Sequence, residues 1–268
     1  MEHFIDFKNE DCIKTMKNMI ENGTKVDIVL TSPPYNTARV VKTQKAIETH
    51  INRYIDYNDN MSNEDYCKWT VSLFENFDKI LQPNGVVLYN LSYSNENPEA
   101  MWLAVSDIIH NTNFMIADTI VWKKKSALPQ NVSKNKLTRI VEFVFVFCRR
   151  DEYKTYNANK KITSHNPKGQ AYYENVFNFI EASNNDGSCK LNKATFSSEF
   201  VVKLLEIYAK EESVIYDPFM GSGTTAIGVE KYGKKCSCIG SEISFDQVEY
   251  SKKRLNEYVE KHRSLFDF

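Results

Sequence analysis

The chain has 268 residues, of which 42% are hydrophobic and 26% are charged. This length and apolar content are enough for one large core, and they exclude a small scaffold that depends on disulfides or metal ions. The formal net charge is −1, so the overall charge does not indicate a polyanionic partner.

Cysteine spacing and hydropathy indicate the compartment in which the protein works. None of the cysteines forms a C-x-x-C pair, so we expect reduced thiols and no bound metal. The N-terminus lacks a basic segment followed by an apolar one, and no stretch reaches the roughly 18 apolar residues of a membrane span. We expect a soluble, cytoplasmic protein with no membrane partner. The cysteines are Cys12, Cys67, Cys148, Cys189, Cys236 and Cys238.

Short apolar runs alternate with amphipathic segments, a pattern typical of a parallel sheet covered by helices on both faces. The run 143–147 is continuously apolar, as expected for a strand that is buried on both faces. The sequence therefore predicts an α/β fold with a doubly wound, mostly parallel sheet. The predicted strands are Val26–Leu30, Val86–Asn90, Ile116–Trp122, Val141–Cys148, Val214–Asp217 and Cys236–Glu242.

Helix start and stop signals lie between these strands. Ser62 and Asp65 form a capping pair before a helix that Pro83-Asn84-Gly85 ends. Segments 37–60, 129–136 and 157–193 are polar and have no clear period, so we predict loops there. Further helices are predicted from about Ser198, from Thr224 or Thr225 to near Gly233, and from a capping box of Ser244 and Gln247.

A glycine-rich segment directly follows the predicted strand Val214–Asp217, at the strand end where open α/β sheets bind ligands. Its two glycines let the backbone turn tightly and approach a ligand closely. Ala226 completes a G-x-G-x-x-A pattern, whereas the paired threonines stand where a phosphate-binding loop needs lysine. Glu242, at the end of the next strand, is suited to accept ribose hydroxyls, although a helix-capping or surface role is the plain alternative. We predict a nucleoside cofactor site. The segment reads Asp217-Pro218-Phe219-Met220-Gly221-Ser222-Gly223-Thr224-Thr225.

A second motif, Ser32-Pro33-Pro34-Tyr35, follows the predicted strand Val26–Leu30. Ser32 supplies an oxygen acceptor, and Pro33 presents its carbonyl on a rigid backbone without an N–H. Pro34 fixes the turn, and Tyr35 offers a ring on which a flat group could stack. The motif therefore suits a polar, planar amine, although a proline-rich turn alone is the plain alternative.

Together the two motifs resemble those of the S-adenosylmethionine (SAM)-dependent DNA amino-methyltransferases, which act on adenine N6 or cytosine N4. The amine motif precedes the glycine loop by about 180 residues, and this permuted order resembles the β-class of the family. Segments 81–90, 121–123 and 142–148 resemble further blocks in the same order, so the resemblance covers nearly the whole chain. It implies a Rossmann-like methyltransferase fold.

The resemblance also implies roles for individual residues. Ser32, Pro33, Pro34 and Tyr35 would orient and activate a flipped base, since an exocyclic amine is a poor nucleophile until its hydrogens are bonded to acceptors. Asp217 would accept hydrogen bonds from the ammonium of SAM, and Asp11 would contact its adenine unless it is only a helix N-cap. Phe196 matches the block before the glycine loop, although that block lacks the family's usual His-Pro start. The expected cofactor residues are Asp11, Phe196, Asp217, Pro218, Phe219, Gly221, Ser222, Gly223, Thr224, Thr225 and Glu242.

The first residue of the amine motif bears on the target base. Asp is commoner there in adenine enzymes, whereas Ser is frequent in cytosine-N4 enzymes, and the chain has Ser32. Ser also occurs in β-class adenine enzymes, and Asn36 resembles an adenine-type extension. We therefore expect adenine N6, with cytosine N4 as the alternative.

Segment 122–154 carries nine basic and three acidic residues, and the resemblance places the target-recognition region between Trp122 and about Lys190. We expect three parts: 1–122 with the transfer motif, 123–190 with the DNA-recognition insert, and 191–268 with the SAM-binding motif. Double-stranded DNA is the expected partner, and a cognate restriction endonuclease and a second copy of the chain are further candidates. The expected DNA contacts are Lys123, Lys124, Lys125, Lys134, Lys136 and Arg139.

Other functions fit parts of the pattern. A nicotinamide-dependent oxidoreductase would use the G-x-G-x-x-A segment and Glu242, but it leaves the Ser32–Tyr35 motif unexplained. A non-catalytic DNA-binding module would not need that motif. Related Pro-Pro-Tyr motifs also serve the methylation of RNA and of protein glutamine, although the permuted order and the central insert favour DNA.

Overall fold

The computed structural model describes residues 3–37, 59–126, 134–187 and 195–263. The α-helices in these ranges are α1 Cys12–Glu21, α2 Asn63–Ile80, α3 Ala100–Asn111, α4 Ser198–Tyr208, α5 Thr224–Tyr232 and α6 Phe245–Arg263. The strands are β1 Ile5–Lys8, β2 Val26–Thr31, β3 Leu81–Leu91, β4 Phe114–Lys124, β5 Val141–Arg149, β6 Ile162–His165, β7 Ala171–Tyr173, β8 Phe179–Ala182, β9 Val214–Asp217 and β10 Ser237–Ser241.

Eight of the strands in the described ranges form one sheet, in the order β1-β10-β9-β2-β3-β5-β4-β8. All neighbours are parallel except those of β5, which runs antiparallel to both β3 and β4. The mostly parallel, doubly wound α/β fold is therefore confirmed. Because β5 is reversed, its first residues lie beside the last residues of β3 and β4.

Side chains of the central strands alternate between two buried layers, as a pleated sheet requires. In β3, Val86 and Leu88 pack with the side chains of α4, whereas Val87 and Tyr89 pack with those of α2. Phe74 of α2 anchors the second layer, with ring centroids 5.2 Å from Tyr89 and 4.9 Å from Phe147. Both faces of the sheet are thus covered, which explains the uninterrupted apolar run of β5.

The predicted strands are confirmed, with Val214–Asp217 matching at both ends. Ser62 is the N-cap of α2, and its hydroxyl accepts a hydrogen bond from the backbone N–H of Asp65 at 3.0 Å. The helix ends at Ile80, and β3 already begins at Leu81 rather than at Val86. A Cβ on Gly85 would lie 2.9 Å from the carbonyl oxygen of Asp27, so glycine is needed for β3 to approach the start of β2 this closely.

The prediction of loops was wrong for part of segment 157–193, which contains β6, β7 and β8. The hairpin of β6 and β7 is largely exposed, so its sequence lacks the apolar alternation that marks a half-buried strand. Most of the other predicted loops, residues 38–58 and 127–133, lies outside the described residues, as does Cys189. The other five cysteines are buried free thiols, and burial raises the pKa of Cys12 to about 12. None of the described helices combines the length and apolarity needed to cross a bilayer.

Candidate active site

One cleft lies at the carboxyl ends of β2, β9 and β10, and both sequence motifs line it. The lining residues are Glu10, Asp11, Cys12, Ser32, Pro34, Trp69, Thr195, Phe196, Pro218, Phe219, Met220, Gly221, Ser222, Thr224, Ser241, Glu242, Ile243, Ser244 and Gln247.

The glycine loop turns back on itself between β9 and α5. Gly221 and Gly223 have φ values of 53° and 76°, in the left-handed region that glycine tolerates without a penalty. A Cβ on Gly223 would lie 2.7 Å from the Cβ of Ser251, so α6 packs directly against the back of the loop. The Ser251 hydroxyl donates to the Gly221 carbonyl at 2.9 Å. The loop is therefore held from behind, with its front open to the cleft.

Asp217 lies behind this loop and does not line the cleft. It is 1% exposed, and both carboxylate oxygens already accept hydrogen bonds from the protein. One oxygen accepts from Thr31 Oγ1 at 2.8 Å and from the Phe219 N–H at 3.0 Å, and the other accepts from Thr225 Oγ1. Burial raises the pKa of Asp217 to about 6. Asp217 thus ties the end of β2 to the glycine loop and to the first turn of α5.

Glu242 and Asp11 bring two carboxyl groups to the cleft wall. Glu242 accepts hydrogen bonds from the N–H groups of Gly221 at 3.0 Å and Ser244 at 2.9 Å, and burial raises its pKa. These contacts use one lone pair on each oxygen, so the carboxyl group can still accept from a ligand. Asp11 is the N-cap of α1, accepting from the Ile13 N–H at 2.8 Å, and it lines the cleft as well. The helix-capping role and the expected cofactor contact of Asp11 are therefore compatible.

Aromatic rings form an apolar wall of the cleft. The Phe219 ring lies 5.6 Å from that of Trp69, which is stacked on Tyr66 at 5.7 Å. Phe196 lines the cleft too, whereas the predicted cofactor residue Thr225 is buried outside it. The sequence analysis assigned no part in the site to Trp69 or to Ile243, which is 45% exposed in the cleft. The signal that could have found Ile243 was its position directly after Glu242, the acidic residue that follows β10.

The Ser32–Tyr35 motif lies beside the glycine loop, with Ser32 and Pro34 on the cleft wall. The Pro34 carbonyl accepts from the Tyr66 hydroxyl at 2.8 Å. Within the described part of the chain, no group donates to the Pro33 carbonyl. Asn36 adopts a left-handed φ of 52°, and its side-chain amide pairs with the Met61 backbone in both directions, at 2.8 and 3.1 Å. The buried Asn36 thus shapes the backbone after the motif.

A polar network that sequence reasoning missed lies behind the motif. The Tyr35 hydroxyl is 2.7 Å from Ser32 Oγ and 3.2 Å from Glu142 Oε2. The Asn90 amide donates to the Tyr35 hydroxyl at 2.7 Å and to Glu142 Oε2 at 2.9 Å. The other oxygen of Glu142 is ion-paired with Lys124. Three strands contribute to the network, so no local motif in the sequence could reveal it.

The predicted DNA-binding cations fall into two groups. The lysines of β4 and its end are ion-paired on the protein: Lys123 with Glu181 at 2.7 Å, Lys125 with Glu199 at 2.9 Å, and Lys124 with Glu142. The cations of segment 134–140, which enters β5 at the same edge as the cleft, have no ion-pair partner among the described residues. In this segment Lys134 and Lys136 are exposed, and Arg139 donates to the Tyr93 carbonyl while covering the Tyr93 ring.

Comparison with known proteins extends over nearly the whole chain. A type II methyltransferase of Bacillus subtilis, M.BglII, is 23% identical over 95% of this chain and 70% of its own length. The crystal structure of an M1.HpyAVI-SAM complex matches with a TM-score of 0.60 and 22% identity, over 94% of this chain and all of that one. The cytosine-N4-specific PvuII DNA methyltransferase matches with a TM-score of 0.67 and 17% identity, over 96% and 92% of the two chains. The N6/N4 family model described as DNA methylase matches residues 26–253, and the chain therefore belongs to that family of DNA methylases.

Proposed function

We propose that this SAM-dependent DNA methyltransferase modifies the exocyclic amine of a base extruded from double-stranded DNA, with adenine N6 as the target. One observation carries the proposal: a single cleft is lined by the glycine loop and by Ser32 of the amine motif. A methyl donor and an amine bound there would be neighbours, as direct transfer requires.

The cleft residues fit SAM in shape and in chemistry. Glu242 would accept the ribose hydroxyls, and Asp11 would accept from the adenine amine. The rings of Phe219 and Trp69, with Ile243, provide apolar surface for the base. The expected contact between Asp217 and the ammonium group becomes an indirect one, because Asp217 lies behind the loop. We propose that it holds the loop in shape instead.

When bound, SAM supplies a methyl group on a positively charged sulfur, which makes it a ready donor. The protein has to prepare the amine, whose lone pair is delocalised into the base. Ser32 Oγ lines the cleft, and the adjacent Pro33 carbonyl accepts from none of the described residues, so these two oxygens are the proposed acceptors for the N–H groups of that amine. Hydrogen bonds to both would localise the lone pair on nitrogen and turn it toward the methyl group. The Tyr35 ring would support the extruded base from the side.

The choice of adenine rests on the resemblance of the Ser32–Asn36 motif to adenine-type enzymes. Asn36 would act through the shape of the backbone after Tyr35, since its amide is bonded to Met61. Cytosine N4 is the second candidate, and the structural likeness to a cytosine-N4-specific enzyme motivates testing it.

For DNA contact we propose segment 134–140 as the principal phosphate-binding element, because its cations are not committed to ion pairs with described residues. Lys123, Lys124 and Lys125 would contribute less, since each first has to give up a carboxylate partner. A cognate restriction endonuclease, suggested by the type II relative, and a homodimer are further proposed partners. Co-purification and sedimentation would test them.

Mass spectrometry of nucleosides after incubation with SAM and unmethylated genomic DNA tests the proposed target. N6-methyladenine supports it, and N4-methylcytosine would replace adenine with cytosine. If neither forms while SAM still binds, RNA or protein becomes the substrate to test. Tight binding of NADH without binding of SAM would contradict the methyltransferase assignment and revive the oxidoreductase alternative. The Ser32→Ala variant is the control, because it should bind SAM and yield neither product.

A further inference from the structure

We infer that Glu142 is a positioning residue for methyl transfer: through Tyr35 it turns the Ser32 hydroxyl proton away from the cleft, so that Ser32 meets the base amine as an acceptor only. The inference rests on the proposed function, because it concerns the amine that Ser32 receives. It adds a residue that lies in another strand, 110 positions beyond Ser32 in the sequence.

Glu142 is a carboxylate held inside the protein next to the amine motif. Its side chain is 12% exposed, and its ion-pair partner Lys124 is 25% exposed. Strand β5 brings it there because Glu142 pairs in register with Trp122, near the carboxyl end of β4. Burying a carboxylate is costly unless hydrogen bonds and an opposite charge compensate for the lost water. Glu142 has both, and two of its three neighbours are side chains that also contact Ser32 or Tyr35.

The neighbours of Tyr35 favour one direction for its hydrogen bonds. The Asn90 amide has two protons, and its shortest contacts are the Tyr35 hydroxyl at 2.7 Å and Glu142 Oε2 at 2.9 Å. The Tyr35 oxygen therefore accepts from Asn90. A carboxylate can only accept, so at the 3.2 Å contact between Tyr35 and Glu142 the phenol is the donor.

The direction of these bonds determines what Ser32 offers to the cleft. With its own proton directed to Glu142, the Tyr35 oxygen can only accept at its 2.7 Å contact with Ser32 Oγ. The Ser32 proton then points to Tyr35, and the Ser32 lone pairs are left for the cleft that the residue lines. An amine that must be activated through its N–H groups needs an acceptor in this position. A hydroxyl that is free to rotate would instead present its proton part of the time.

The charge of Glu142 can be tested with a substitution that keeps the shape of the side chain, because Lys124 fixes the orientation of the new amide. In Glu142→Gln the amide oxygen would face the Lys124 ammonium, and the NH₂ group would face Asn90 and Tyr35. Two amide NH₂ groups would then oppose each other, and Tyr35 would have to direct its proton to Ser32. The side chains of the network would keep their packing, but the hydrogen bond between Tyr35 and Ser32 would have its donor and acceptor exchanged.

The test combines three measurements on the full chain: the single-turnover rate of methyl transfer to DNA, SAM affinity by calorimetry, and the thermal unfolding midpoint. The loss of one charge-assisted hydrogen bond is expected to slow transfer about 10- to 100-fold in Glu142→Gln. SAM affinity should change by less than about 3-fold, because Glu142 does not line the cleft. Glu181→Gln is the matched control, because Glu181 also pairs with a lysine of β4, at 2.7 Å, but has no contact with the amine motif.

A double-mutant cycle with Tyr35→Phe separates positioning from general packing. Phe removes the hydroxyl that links Glu142 to Ser32, so Glu142→Gln should cost less than about 3-fold in the Tyr35→Phe background. An equal loss in both backgrounds, or a rate loss matched by losses of SAM affinity and thermal stability, would overturn the inference. Full activity of Tyr35→Phe would overturn it even if Glu142→Gln did not fold. Failure of the proposed function is distinct, because the parent chain would then transfer no methyl group to DNA.

Discussion

The substitution Asp217→Asn offers the sharpest test of how the cofactor loop is held. A direct contact between Asp217 and the ammonium of SAM is charge-assisted and contributes about 1.5–3 kcal/mol. Its loss would weaken SAM binding roughly 10- to 150-fold. In the structure, however, Asp217 is 1% exposed and its oxygens accept from Thr31, Phe219 and Thr225. Asn keeps the oxygen that Thr31 and Phe219 use, and the Thr225 hydroxyl can accept from the new NH₂ group. We therefore expect the SAM dissociation constant of Asp217→Asn to stay within about 3-fold of the parent value.

The same substitution should change how stability depends on pH. Burial raises the pKa of Asp217 from its ordinary 3.8 to about 6, so the folded state binds this proton more tightly than the unfolded chain does. The contribution of Asp217 to stability is thus complete below about pH 4 and is lost as the pH rises through about 6. Two pKa units correspond to about 3 kcal/mol. Asp217→Asn lacks this titration, so its free energy of unfolding relative to the parent should rise by about that amount between pH 4 and pH 7.

Two measurements test these expectations. Isothermal calorimetry gives the SAM dissociation constant, and urea unfolding between pH 4 and pH 7 gives the free energy of unfolding. Asp217→Ala is the matched contrast, because it leaves three buried donors without an acceptor at about 1–3 kcal/mol each. It should lose stability and SAM affinity together. A loss of SAM affinity above 10-fold in Asp217→Asn, with stability and pH dependence unchanged, would refute the assignment of Asp217 as an anchor of the loop.

Three further expectations concern other parts of the molecule. Glu242→Gln should weaken SAM binding about 10-fold by calorimetry, since a neutral amide is a poorer acceptor for ribose hydroxyls than a carboxylate, and unchanged affinity would remove Glu242 from the cofactor site. Lys136→Ser should lower the slope of log K for DNA against log salt by about 1, whereas Lys123→Ser should change it less, because Lys123 is ion-paired with a glutamate. Equal slopes would contradict our division of the cations. Gly228→Ala should destabilise the fold by about 1–3 kcal/mol in urea unfolding, because its Cβ would lie 2.3 Å from Val201 Cγ1, and an unchanged midpoint would show that α4 and α5 can move apart.

The sequence predicted those features that local signals encode. Ser62 and its capping partner located the start of α2, and the glycine loop located the turn between β9 and α5. Each motif follows a predicted strand, and open α/β sheets bind ligands at the carboxyl ends of their strands. The sequence therefore predicted that both motifs lie at the same edge of the sheet. Strand β1 and the exposed hairpin of β6 and β7 were missed, since short or solvated strands carry little hydrophobic alternation.

Other site features depend on long-range pairing and could not be read locally. Asp217 looked like a ligand residue by its place in the motif, and only its burial and its bond to Thr31 show that it faces away from the cleft. Glu142 reaches the site because β5 runs antiparallel between β3 and β4. Trp69 lines the cleft from α2, but an apolar residue at a helical spacing is equally compatible with a place in the core.

The reversed direction of β5 has a consequence for how recognition can change among related enzymes. Strand β4 ends and its neighbour β5 begins at the edge of the sheet that carries the cleft, so residues 125–140 connect the two strands there. Extending such a connection alters neither the order of strands nor the register, and doubling its length costs only about 0.6 kcal/mol in closure entropy. The fold can therefore exchange the segment that we propose for DNA contact while Glu142, a few residues further on, keeps its place beside Tyr35.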